Sequence, residues 1–169
     1  MKKKISYLDL FQTLAIVFGI CYGVLELSQL REETNRQAAA ELARWFQTTE
    51  FVEGMLASGD IPDNASPEQV REAIDGRERL VWNVSIVLES VGVLVWRGDL
   101  DLRLVDDLVG GGAIRFWEKT EPLWLSMREE WDRPSSMEWT QWLAERLAEL
   151  PTLAEAPAHE AYRDWVPPR

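Results

Sequence analysis

The sequence predicts an all-α protein: a single N-terminal transmembrane helix that continues into a small helical-bundle domain, followed by an extended C-terminal tail. Three observations lead to this fold class. Residues 10–30 form an apolar run, apolar residues recur at helical spacing through most of the remaining chain, and prolines cluster after residue 150. We therefore divide the chain into an anchor (1–30), an acidic helical domain (31–149) and a Pro-rich tail (150–169).

The apolar run of residues 10–30 contains one charged residue, Glu26, and is preceded by lysines at positions 2–4 and followed by Arg31. About 20 helical residues are needed to cross the hydrocarbon core of a bilayer, and the run reaches this length if Glu26 lies at the interface. The end of the run has no small-x-small cleavage site, which favours a retained anchor over a cleaved signal peptide. A cleaved signal peptide and a buried helix of a soluble domain are the remaining alternatives.

Small residues recur every four positions within the anchor, at Ala15, Gly19 and Gly23. This spacing places them on one face of a helix, where another helix backbone can approach closely. We therefore predict that the anchor packs against other transmembrane helices through this stripe. The alternative is that glycine and alanine are simply common in membrane helices.

The chain is strongly acidic, with 29 Asp and Glu against 18 Lys and Arg and a formal net charge of −11. Three of the four lysines precede the apolar run of residues 10–30, so Lys119 is the only lysine of the body. Such a body is expected to be repelled by nucleic acids and by anionic lipid head groups. Cys21 is the only cysteine, which rules out a disulfide within the chain.

The body reads as helix nearly throughout. Ser66, Pro67 and Gln69 form a capping box with proline at the first helical position, which predicts a helix start. Glycines at 110–112 are predicted to form a turn rather than a phosphate-binding loop, because no Lys-Ser or Lys-Thr follows them. Pro122 is expected to kink or divide the helix that comes next. The other predicted helices cover residues 28–47, 49–57, 77–96, 101–109, 113–131 and, after a Ser135-Ser136 cap, 138–150.

Residues 77–96 are apolar around most of the helix circumference, which predicts a buried helix at the centre of the fold. Glu89 lies within this helix, and a buried carboxylate must find a donor or stay protonated. We expect a structural ion pair with Arg115 or Arg128, and a catalytic acid is the alternative. The nine tryptophans are mostly expected in the core. Trp165 in the tail is the exception and a candidate anchor for a partner surface.

The sequence offers few residues for catalysis. His159 is the only histidine and lies in the tail, so a zinc site, a histidine-based triad or a histidine-ligated haem has no residues to build it. The adjacent acids at 106–107 and 129–130 point in different directions on a helix and are expected to be solvated. We therefore assign no catalytic, cofactor-binding or metal-binding residue and expect no enzymatic activity.

Several short runs of the sequence carry a resemblance to a known family, namely residues 12–14, 40–44, 46–48, 50–51, 88–95, 97–98, Trp117 and 138–146. Taken together they resemble the bacterial membrane-anchored DUF4760 domain of unknown function. The resemblance extends from the anchor to about Leu147 and implies the anchored all-α architecture but no activity. Members are typically basic just after the anchor, which implies a cytoplasmic body at the bacterial inner membrane. Here Glu32 and Glu33 interrupt that basic stretch, and charge alone does not decide the orientation.

These features lead to three functional hypotheses. The first is a non-enzymatic accessory or scaffolding subunit of a larger integral-membrane complex, such as an energy-transducing respiratory or photosynthetic one. In this case the anchor binds other transmembrane helices and the bilayer, and the body binds no nucleic acid. The second is a stand-alone signalling or stress-response module that acts through a homodimer, and the third is an unrecognised hydrolase.

Overall fold

The computed structural model describes residues 16, 18–20, 22–23, 26, 37–150 and 158–167. Every regular element in these ranges is helical, which confirms the all-α prediction for the part of the chain described. The chain divides into two compact units, residues 1–48 and residues 49–169. In the first unit residues 37–46 are helical, within the predicted helix 28–47. The predicted anchor falls mostly outside the described residues and stays a prediction.

The second unit contains six helices in its described residues, and their bounds agree closely with the predicted ones over most of its length. The loop after the first helix and the helix that begins at Glu138 also lie where the sequence placed them, whereas the short helix at Ala158–Ala161 was not predicted. The helices are α1 (Thr49–Gly59), α2 (Pro67–Ala73), α3 (Glu78–Arg97), α4 (Leu102–Glu130), α5 (Glu138–Glu149) and α6 (Ala158–Ala161).

Local capping sets two of these boundaries. The Ser66 hydroxyl accepts the Gln69 backbone N–H at 3.3 Å and the Gln69 side chain accepts the Ser66 N–H at 2.8 Å, so the predicted capping box at the start of α2 is present. At the end of α3, Gly98 adopts φ 78°, a left-handed conformation that glycine enters without steric cost. Both boundaries follow from residues within one turn of the helix end.

The core of the second unit is built around α3. This helix packs against α1 and α5, and α4 packs against α1, α2 and α5. Val81, Val84 and Leu88 of α3 are fully buried, as are Phe116 and Trp124 of α4. The α3 residues recur at spacings of three and four and the α4 residues are eight apart, about two turns, so each helix directs an apolar face toward the core.

Two glycines allow helices to approach α3 closely. A Cβ atom at Gly54 of α1 would lie 2.4 Å from the Leu80 carbonyl oxygen, and one at Gly92 of α3 would lie 2.5 Å from the Trp139 carbonyl oxygen. Real Cβ atoms do not approach backbone atoms so closely. The close contacts between α1 and α3 and between α3 and α5 therefore require glycine, which has no side chain, at these two positions.

The predicted turn at the glycine triplet is wrong, because α4 runs without interruption from Leu102 to Glu130. Glycine costs only about 1 kcal/mol relative to alanine inside a helix, and tertiary packing offsets that cost here. Gly112 faces α1, where a Cβ would come within 3.1 Å of Met55 Cε. Pro122 also lies inside α4 and does not divide it.

The prediction that α3 is buried all round is also wrong. Ile86 is 56% exposed and Trp96 is 59% exposed. Only 33% of the most apolar 18-residue window of α3 is buried. Among the described residues, α3 is the one helix long and apolar enough to cross a membrane by length and composition, a test that core helices of soluble domains also pass.

The start of α5 and the tail differ from prediction as well. The N-cap of α5 is Met137, with φ 55° and no capping hydrogen bond from its own side chain, and the predicted Ser135-Ser136 cap does not form. A side chain of α3 takes over this role, as described below. The tail is not extended throughout, since α6 forms a single helical turn within it.

Candidate functional site

The predicted partner-binding residues are Ala15, Gly19 and Gly23 of the anchor and Trp165 of the tail. Ala15 falls outside the described residues, whereas Gly19 and Gly23 are helical and have no heavy atom within 4 Å of the place that a Cβ would occupy. Trp165 is 64% exposed, and its backbone N–H donates to the Tyr162 carbonyl oxygen at 3.0 Å in a turn after α6. The helix-packing stripe and the tail anchor therefore remain predictions.

Glu89 is half-buried and pairs with neither arginine that the sequence suggested. Its Oε2 accepts the Thr140 backbone N–H at 2.8 Å and lies 3.0 Å from the Thr140 hydroxyl, which donates. Thr140 is the third residue of α5. Glu89 therefore accepts the backbone hydrogen bond that the side chain of an N-cap residue normally accepts. The expected ion pair is wrong because Arg115 and Arg128 have other partners.

Arg128 instead ties the end of α4 to the turn before α5. Its Nε donates to the Ser136 carbonyl oxygen at 2.7 Å and its Nη1 donates to Gln141 Oε1 at 2.8 Å. The guanidinium also lies 5.9 Å from the centre of the Trp117 ring. Glu89 and Arg128 together fix the N-terminus of α5 from two sides.

A polar cluster that the sequence did not predict joins the loop after α1 to α4. The Lys119 ammonium is buried, donates to the Ile61 carbonyl oxygen and lies 2.7 Å from Asp63 Oδ1. Arg115 donates to the same oxygen at 2.7 Å. The hydrogen bonds from Lys119 and then from Arg115, together with their charges, hold the pKa of Asp63 below its ordinary value of 3.8.

This cluster borders an open cavity of about 470 Å³ with charged side chains of both signs. Both of its cations, Arg115 and Lys119, form ion pairs with Asp63. The arrangement therefore holds the loop against α4, and we assign it a structural role. The signal available in the sequence was that Lys119 is the only lysine of the body. The cavity is lined by Asp63, Asn64, Arg115, Glu118, Lys119 and Glu121.

The most unusual surface of the second unit is an aromatic one. We call it the aromatic face and define it as Trp82, Ile86, Val93 and Trp96 of α3 together with Trp131 and Trp139, which contact α3. The four α3 residues follow each other at spacings of four, seven and three, which places them on one side of the helix. The Trp131 ring stacks on Trp82 with ring centres 5.8 Å apart, and Trp139 lies 5.1 Å from Trp96.

The aromatic face is partly open to solvent. Trp131 is 44% exposed, and Trp96 and Ile86 are more exposed still. Trp82 is half-buried because its inner edge contacts the fully buried Trp124 at 4.9 Å between ring centres. The prediction that tryptophans are mostly core residues holds fully only for Trp117 and Trp124 among those described.

The charges around this face are mixed, but the domain is acidic. Residues 49–149 contain 21 acidic and 10 basic side chains. Within the described part of the chain, four acids and three arginines that lie within four positions of an aromatic-face residue in the sequence form no side-chain hydrogen bond or ion pair. These acids are Glu78, Glu129, Asp132 and Glu138, and the arginines are Arg79, Arg97 and Arg133.

Among the described residues, no group of three or more His, Cys, Asp or Glu side chains is placed to hold a metal ion. In the comparison with protein families, the model described as "Domain of unknown function (DUF4760)" matches residues 13–147. Neither a curated protein nor a solved structure matches the chain.

Proposed function

The chain belongs to the DUF4760 family, and we propose that it is a non-enzymatic accessory subunit of a larger integral-membrane protein complex. One observation carries the proposal. The most apolar helix of the described domain keeps an aromatic side open to solvent, with Ile86 and Trp96 more than half exposed. Exposed apolar patches rimmed by polar residues are typical of protein-binding surfaces, and tryptophan is enriched at their energetic centres.

The proposed location is the bacterial inner membrane, with one N-terminal transmembrane helix and the body on the cytoplasmic side. The apolar run of residues 10–30 and the resemblance to a membrane-anchored family support this location. An energy-transducing complex, respiratory or photosynthetic, is one kind of partner that such a subunit would have. The anchor would pack through Ala15, Gly19 and Gly23 and the body would cover an aqueous face of the complex.

The second hypothesis, a self-associating signalling module, rests on the same stripe of small residues. The third, a hydrolase that uses Glu89, has the least support because Glu89 accepts two hydrogen bonds from Thr140 in a capping role. Stable folding of Glu89→Ala together with the loss of a measured turnover would revive it.

The test of the proposal is purification of the full chain from its native membranes in mild detergent, followed by mass analysis of what migrates with it. We expect a large complex that contains the chain in fixed proportion. Migration as a monomer or homodimer would contradict the subunit and favour the self-associating module. Leucine at Gly19 and Gly23 is expected to release the heterologous partner, whereas loss of self-association alone would support the module.

A further inference from the structure

The open side of α3 has a defined length. Trp82 and Trp96 are fourteen residues apart, which corresponds to about 21 Å along the helix axis. Between them lie Ile86 and Val93 and, on the same side of the helix, the half-buried Glu89, whose carboxylate accepts the Thr140 N–H of α5. Trp131 and Trp139 lie on the flanks. A largely apolar strip of about four helical turns fits the apolar face of a partner helix, which binds through residues spaced three and four apart.

Charge selects among the kinds of surface that such a strip can bind. A second copy of this domain would bring together two bodies that each carry 21 acidic and 10 basic side chains between residues 49 and 149. Anionic lipid head groups would be repelled by the same excess of negative charge. A basic partner would be attracted, and long-range attraction of this kind also increases the rate of association.

We propose that the aromatic face binds a net-basic amphipathic helix of a partner protein, an inference that rests on the proposed function and names the chemistry of the partner. The apolar side of that helix would lie on Ile86 and Val93. Its lysine or arginine side chains would reach the exposed rings of Trp96 and Trp131, which attract cations over their faces. Positively charged loops are also abundant on the cytoplasmic side of membrane proteins.

The experiment uses the full chain in phosphatidylcholine nanodiscs and two synthetic 18-residue helices, one with leucine and lysine faces and one with leucine and glutamate faces. Binding of each labelled helix is measured by fluorescence anisotropy, with empty nanodiscs subtracted. Ile86→Lys tests the aromatic face. Leu56→Lys, at a position of α1 that is 68% exposed, is the matched control because it also replaces an exposed branched aliphatic side chain by lysine, on a different helix of the domain.

We expect the lysine helix to bind the unmodified chain at least about tenfold more tightly than the glutamate helix. Ile86→Lys should weaken that binding about tenfold or more, whereas Leu56→Lys should cost about threefold or less, since one distant charge is screened by salt. Ile86→Glu should bind more tightly than Ile86→Lys, because both lose the apolar side chain and only lysine repels a basic helix. Circular dichroism should show equal helix content in all variants.

Four outcomes would overturn the proposal: no binding of the lysine helix, equal weakening by the two lysine substitutions, a dimer of the full chain that Ile86→Lys abolishes, or binding to phosphatidylglycerol vesicles that depends on Ile86. The failure of this inference is distinguishable from failure of the proposed function. A native complex of fixed proportion with no binding of the lysine helix refutes only the partner chemistry. A chain that migrates alone from native membranes refutes the subunit itself.

Discussion

Both sides of α3 carry large apolar side chains, but these lie in different environments. On one side Val84, Leu88 and Val91 are at most 1% exposed and contact neighbouring helices. On the other side Ile86 and Trp96 are more than half exposed. The open side also carries exposed polar residues such as Ser90 and Arg97, so its apolar residues are the ones that the neighbouring helices leave uncovered.

The comparison shows that an apolar helix can serve two purposes at once. The covered side stabilises the fold by removing its side chains from water. The open side adds little to the stability of the fold, and its exposed aromatic area is available to a partner. Substitutions on the two sides should therefore separate stability from binding, and the predictions below use that separation.

The largest difference is expected between Leu88→Ala and Ile86→Ala. Leu88 is 1% exposed, so its truncation leaves a cavity and should lower the free energy of unfolding by about 2–5 kcal/mol. Ile86→Ala should change it by about 0.5 kcal/mol or less. Urea unfolding of the full chain in nonionic detergent, followed by tryptophan fluorescence, measures both. Equal losses would show that the exposed side also supports the fold.

Gly92→Ala should destabilise the contact between α3 and α5. The added Cβ would meet the Trp139 carbonyl oxygen at 2.5 Å, and a backbone atom cannot move aside as a flexible side chain can. The expected loss is about 1–3 kcal/mol in the same unfolding experiment. Gly111→Ala is the control, because no atom lies within 4 Å of its Cβ position and the change should stabilise α4 by about 0.5–1 kcal/mol. A stabilising Gly92→Ala would contradict this packing.

Glu89→Ala should lower the free energy of unfolding by about 0.5–2 kcal/mol, the usual effect of losing a helix cap. The Thr140 N–H would lose its acceptor, and hydrogen exchange at the first turn of α5 should increase. Glu53→Gln, an exposed change on α1, serves as the control and should leave that exchange unaltered. Unchanged exchange in Glu89→Ala would refute the cap.

The smallest expected effect concerns acid pH. The pKa of Asp63 is lowered from 3.8 by Lys119 and Arg115, and the pKa of Glu130 is lowered from 4.5 by Ser126 and Arg71. In both cases the pKa of the folded state lies below that of the unfolded state. The ionised carboxylates therefore stabilise the fold at pH values above the unfolded-state pKa. This stability is lost as the pH falls through the lower, folded values.

At pH 7 the free energy of unfolding of Asp63→Asn should therefore be lower than that of the unmodified chain. The difference between the two should shrink as the pH falls toward 3. Asp107→Asn, at an exposed position of α4, is the control and should show no such convergence. A difference for Asp63→Asn that stays constant between pH 7 and pH 3 would contradict the ion pairs at this loop.

The sequence predicted those features of the fold that depend on neighbouring residues. The capping box at Ser66 was confirmed, and the helix predicted over residues 77–96 ends within one residue of that prediction, at Arg97 before Gly98, because glycine readily adopts the left-handed conformation that ends a helix. The glycine triplet of residues 110–112 was misread because its helix is stabilised by packing, which local propensity does not contain.

The partners of the polar residues could not be predicted for a similar reason. Glu89 and Thr140 are 51 positions apart, and Lys119 meets a carbonyl oxygen 58 positions away. Such contacts depend on how the helices are arranged. The exposure of Ile86 was missed because an apolar pattern shows only that a surface avoids water, and not whether this chain or a partner covers it.

The most direct test of the central claim is photo-cross-linking in native membranes. A photoreactive phenylalanine analogue such as p-benzoylphenylalanine is placed at position 86 of the full chain or, as the control, at position 56. We expect a discrete protein adduct from position 86 that is absent from position 56, with a net-basic cross-linked segment. The same adducts from both positions, or an adduct at position 86 with a second copy of this chain, would contradict a docking face on α3.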